Sequence, residues 1–73
     1  MINWKECPDV ETKPDVMSGQ AVIRGTRIPA QGVVDNAYDG YSPERIAAEI
    51  YEGLPVDAAR RVIDFARKAR DEV

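Results

Sequence analysis

The chain has 73 residues, 32% of them charged, with a net charge of −3 at pH 7, one cysteine and no histidine. A domain of this size buries only about 60% of the surface its unfolded chain exposes, and a lone thiol without histidine excludes disulfide frameworks and zinc sites, leaving association with a second copy as the expected reinforcement. No apolar run approaches the roughly 18 residues of a membrane helix, the first residues lack the basic-then-apolar order of a signal peptide, and the unpaired thiol suits a reducing compartment, so the expectation is a cytoplasmic protein without membrane contact.

Residues 1–19 read as irregular or weakly extended, broken by Pro8 and Pro14 and closed by the turn signal Ser18-Gly19. Trp4 is the one large aromatic in this segment, and it is expected to lie over the core or a partner. Residues 20–29 read as a short β-hairpin. With Arg24-Gly25 as a two-residue loop, Ile23 would pair with Thr26 and Ala21 with Ile28, placing those four on one face and Val22 with Arg27 on the other. Gly25 would supply positive φ, and Pro29 would end the pairing and open a helix.

Residues 30–73 read as three helices. The first, Ala30 to Tyr38, gathers Val33, Val34, Ala37 and Tyr38 and is capped by Gly40. The second opens on Ser42 as N-cap with Pro43 and Glu44 in its first turn, and carries the stripe Ile46, Ala47, Ile50 and Tyr51. Gly53-Leu54-Pro55 ends it, and the last helix runs from Val56 to about Arg70.

In the last helix Val56, Ala58, Ala59, Val62, Ile63, Phe65, Ala66, Ala69 and Val73 cover about half the circumference, wider than the roughly 100° stripe that one core requires. The surplus points to a homodimer, with Val62, Phe65, Ala66 and Ala69 as interface candidates. The opposite face alternates in sign, so that Asp57 to Arg61, Arg60 to Asp64, Asp64 to Lys68 and Arg67 to Asp71 form i, i+4 pairs.

The chemistry open to these residues is narrow. Without histidine there is no Ser-His or Cys-His nucleophile. Cys7 stands among acids that raise a thiol's pKa. The carboxylates read as solvated surface charge rather than an acid-base pair, and no glycine-rich phosphate loop is present. The expectation is a protein that is not an enzyme and takes neither cofactor nor small-molecule substrate. For nucleic acid, the acidic balance opposes bulk attraction, yet Gln20 to Gln31 is purely basic through Arg24 and Arg27. The last two helices have the outline of a helix-turn-helix with Arg60 and Arg61 near the start of the second, against which stand a long turn and the acidic Asp57. A plain antiparallel helix pair is the competing reading.

The run Ser18-Gly19-Gln20-Ala21-Val22-Ile23-Arg24-Gly25-Thr26-Arg27-Ile28-Pro29, a helix ending at Gly40, and then Ser42-Pro43-Glu44-Arg45-Ile46 resembles domain-of-unknown-function family 433. These are small bacterial and archaeal proteins regarded as antitoxins of the VapB type. The resemblance spans about Val10 to Arg67. It implies a homeodomain-like or winged helix-turn-helix fold and, often, a neighbouring gene for a PIN-like nuclease toxin. Two departures stand out: Gln20-Ala21 replaces the usual Lys-Pro, and Tyr51-Glu52-Gly53-Leu54-Pro55 shifts the proline of the usual Tyr-Pro-x-Leu.

The combined expectation is a mainly α, single-domain antitoxin-like protein in which Arg24, Thr26, Arg27, Arg60 and Arg61 contact double-stranded DNA or a PIN-like toxin. The alternatives are a protein-interaction module without a DNA role, and a small structural dimer in which Arg-Gly-Thr-Arg only builds the hairpin.

Overall fold

A computed structural model describes residues 3–15 and 19–71, with side chains through residue 69. Ser18 of the expected turn and Val73 of the expected stripe lie outside the described residues. A single 3₁₀ turn, Trp4–Glu6, leads into strand β1, Val10–Thr12. Strand β2, Ala21–Ile23, pairs with it antiparallel in the register Val10 with Ile23, Glu11 with Val22 and Thr12 with Ala21. Helix α1 is Ala30–Tyr38; α2 is Pro43–Arg45, continued by a π-helical stretch Ile46–Ile50; α3 is Val56–Asp71. The architecture is thus an N-terminal β-hairpin followed by three helices.

The hairpin is built differently from the expected one. Its first strand comes from the segment read as irregular or extended, and Ile23 faces Val10 rather than Thr26. On its other edge Ile23 N–H donates to the Ile28 carbonyl at 2.8 Å and Val22 bridges to Pro29. Arg24 to Arg27 therefore form a four-residue turn closed by Ile23 and Ile28, in place of a two-residue loop. The cause is visible in burial: Val22 and Ile23 are both fully buried, which requires cover on each face and a neighbour on each edge of β2.

The helix ends follow local chemistry. Gly40 has φ 105°, Tyr41 N–H bonds the Asn36 carbonyl and Gly40 N–H bonds that of Ala37, the paired bonds of a Schellman ending for α1. Ser42 Oγ accepts from Arg45 N–H at 3.2 Å at the start of α2. Within α2, Tyr51 N–H reaches back five residues to the Ile46 carbonyl at 2.8 Å. This wide turn sets Tyr51, rather than Ile50, over Ile46. Ile46 is fully buried while Ile50 is 37% exposed, which corrects the four-residue stripe expected for this helix. Tyr38 is likewise exposed, at the rim of the α1 stripe.

The core gathers Val33 and Val34 of α1, Ile46, and Ala59, Val62 and Ala66 of α3, all fully buried, against Ile23 and Val10 of the sheet. Gly32 lets α1 and α2 approach: a Cβ there would overlap the Tyr51 hydroxyl.

Candidate functional site

The arginine-bearing turn is mostly a structural fastening. Thr26 N–H and Oγ1 both donate to the Ile23 carbonyl, at 2.9 and 2.7 Å, and Oγ1 accepts from Ile28 N–H at 3.0 Å, so this hydroxyl is committed to holding the turn. Gly25, at φ 78°, aims its N–H at Glu11 Oε2, 2.8 Å away. Arg24 Nε donates to the Pro8 carbonyl at 2.9 Å and Nη2 to that of Val10 at 3.3 Å, while Nη1 lies 3.5 Å from Glu11 Oε1. The Glu11 carboxyl is held below its ordinary value first by the Gly25 N–H, then by the charges of Lys13 and Arg24. Of the two arginines left unbalanced by sequence reasoning, Arg24 is therefore neutralised by Glu11. Arg27 is exposed and makes no hydrogen bond or ion pair among the described residues.

The α3 arginines are also engaged. Arg61 donates to both carboxylate oxygens of Asp9, Nε and Nη2 each at 2.9 Å, and Arg60 pairs with Glu44 of α2. The expected pairs Asp57 to Arg61 and Arg60 to Asp64 give way to these tertiary ones because Asp9 and Glu44 are brought within reach by β1 and α2, while the side chain of Asp71, in the expected pair with Arg67, lies outside the described residues. Among the described residues the i, i+4 ion pair that forms is Arg45 with Glu49, at 2.7 Å, with the Arg45 guanidinium 4.6 Å above the Tyr41 ring. Arg67 and Lys68 are exposed and unpaired among the described residues.

The sequence-derived site thus separates into parts. Arg24, Thr26 and Arg61 fasten the hairpin region, Arg60 ties α3 to α2, and Arg27 alone of the five projects without a partner among the described residues. Of the interface candidates, Val62 and Ala66 are fully buried within the chain and have no surface to offer a second copy. Phe65 stacks on Trp4, with ring centroids 5.9 Å apart, and Ala69 is half-buried. Much of the wide apolar face of α3 is accordingly used by the chain itself, with the N-terminal segment as cover and Trp4 lying over the core, as expected of it. That cover also buries Cys7, and burial is the main cause of its raised thiol pKa.

One surface feature was not foreseen: a groove of about 560 Å³ where the end of α1 and the start of α2 meet α3, lined by Tyr41, Pro43, Ile63, Asp64, Arg60 and Arg67 among others. Its residues are scattered over three helices and share no spacing that sequence reading detects.

The family model described as "Protein of unknown function (DUF433)" matches residues 10–66. No curated protein matches the chain. Among solved structures, it is similar to the crystal structure of a DUF433 member protein from Anabaena variabilis ATCC 29413, with 26% identity and a TM-score of 0.65 over 88% of this chain. The match covers 62% of that protein's chain, so the present sequence spans less than two thirds of its length.

Proposed function

The chain belongs to the DUF433 family, and from that premise we propose that it is an antitoxin-like protein that neutralises a PIN-like nuclease by binding its surface. The observation that carries this reading is Arg27. It projects from a turn whose other members are locked, on a chain of net charge −3 whose Lys13, Arg24, Arg45, Arg60 and Arg61 already hold carboxylates. An acidic surface with a projecting guanidinium complements a nuclease that carries basic residues for RNA and acidic residues for metal. The work is done by binding in the cytoplasm and asks no catalysis of this chain. Co-expression with the PIN-like product of the adjacent gene tests it: a complex that copurifies and blocks RNA cleavage is expected, and Arg27→Glu should weaken it at least tenfold without lowering thermal stability. Absence of a complex at micromolar concentration rejects the reading.

A second reading, operator binding, draws support from Arg67 and Lys68, exposed and unpaired among the described residues near the end of α3. It expects a shift of the chain's own promoter fragment that weakens steeply with salt. The paired state of Arg60 and Arg61 argues against it, since each would have to leave a carboxylate to meet phosphate.

A further inference from the structure

On its α3 side the groove at the end of α1 is bordered by Arg60, Ile63, Asp64 and Arg67. These stand at i, i+3, i+4 and i+7 and form one stripe along two turns of the helix, about 10 Å long. Ile63 is buried at the floor, and the wall facing the stripe includes the small residues Ala37, Gly40 and Ser42. The charges of the stripe are unequally used. Arg60 is held by Glu44. Asp64 and Arg67 are exposed and make no hydrogen bond or ion pair among the described residues, although Arg60 and Lys68 stand one turn to either side of Asp64. The groove thus offers an open acid and an open base, one turn apart, beside an apolar floor.

We propose that this groove seats a helix of the nuclease, one that carries a base and an acid a turn apart beside an apolar residue; the assignment rests on the nuclease reading and adds to it a second contact, at the other end of α1 from the turn that bears Arg27. The base meets Asp64, the acid meets Arg67, and the apolar residue lies toward Ile63. An occupant with charge of one sign would satisfy one of the two open groups and be repelled by the other. A helix repeats the spacing of Asp64 and Arg67, since residues three and four apart on its surface are neighbours about 5–6 Å apart. The small residues of the facing wall let its backbone approach, and a stripe at i, i+3, i+4 and i+7 is the form in which one helix packs on another.

The test is the affinity of charge variants for the PIN-like product of the adjacent gene, by titration calorimetry at fixed ionic strength. Asp64→Lys raises the net charge of the chain and Arg67→Glu lowers it by the same amount, yet each should weaken the complex at least about tenfold, because each sets like charges against each other in the groove. Lys68→Glu makes the same charge change as Arg67→Glu at an exposed position outside the groove, and should leave the affinity within about twofold. All three side chains are exposed, and unchanged thermal melting shows that the fold is kept. Opposite effects of Asp64→Lys and Arg67→Glu would mean that the partner senses only the overall field, and would overturn the proposal. So would a loss on Lys68→Glu equal to that on Arg67→Glu. A wild-type complex indifferent to both groove variants overturns the groove alone, whereas the absence of any wild-type complex rejects the nuclease reading and this occupant with it.

Discussion

Arg61 grips both carboxylate oxygens of Asp9 at 2.9 Å across 52 residues of sequence, and so fastens the N-terminal segment to the first turns of α3. The Asp9 side chain is largely covered while that of Arg61 is mostly open to water, and the fork geometry fixes the orientation of both. Asp9→Asn should lower the melting temperature by about 2–5 °C at low salt, with the difference shrinking as salt screens the pair. The same change loosens the cover over Cys7, so labelling by a thiol reagent should accelerate several-fold. An unchanged labelling rate would show that the segment is held by other contacts.

Glu11 makes stability depend on pH with a defined sign. Its carboxyl is lowered from 4.5 in the folded chain, principally by the Gly25 N–H. A lowered folded value means that the contribution is fully present above the unfolded value and is lost as pH falls through the folded one. The melting temperature of wild type minus that of Glu11→Gln should be constant from pH 7 to about 5 and shrink below 4.5. Glu44, lowered first by its own backbone N–H and then by Arg60, and Glu49, lowered by Arg45, titrate equally in both proteins and drop out of the difference.

Gly32 and Tyr51 should behave as a coupled pair. Gly32→Ala favours the helix by propensity but pushes the Tyr51 ring from its seat. In a Tyr51→Phe background the displaced hydroxyl is gone, and the alanine should be tolerated better by about 1 kcal/mol in a double-mutant cycle read by urea unfolding. Additive effects would mean that the ring moves aside freely.

The Trp4–Phe65 stack is expected to seal the apolar side of α3. Phe65→Ala should cost about 1–2 kcal/mol and shift the Trp4 emission to the red. The loss should not change with protein concentration if the ring serves the chain's own fold; a concentration-dependent loss would assign it to a contact between copies.

Several of these features were legible in the sequence and others were not, for identifiable reasons. Gly25, Gly40, Ser42 and Pro43 announce their roles because turn and cap chemistry is local, and the span of α3 follows from a long periodic pattern. Strand β1 is three residues lying between Pro8 and Pro14, too short to show alternation, and only its partner reveals it. Without β1, Arg24 had no visible counter-ion, and with Thr26 placed in a strand opposite Ile23 its hydroxyl had no visible task in the turn, so both stood as binding candidates. Arg60 and Arg61 were matched to neighbours along α3 because sequence shows spacing but not the approach of Glu44 and Asp9. The single wide turn at Ile46 to Tyr51 was invisible too, since it leaves the same apolar residues in the same order.

The clasp between Asp9 and Arg61 also orders events during synthesis. At about 5–20 residues per second, Asp9 leaves the peptidyl-transferase centre some three to ten seconds before Arg61 is joined to the chain. Throughout that interval the nascent N-terminal segment lacks the helix that will cover Cys7 and receive Trp4. The earliest part to be made thus has only β2 and its turn to hold it until α3 arrives, and it is where a protease acting on the growing chain would find its opening.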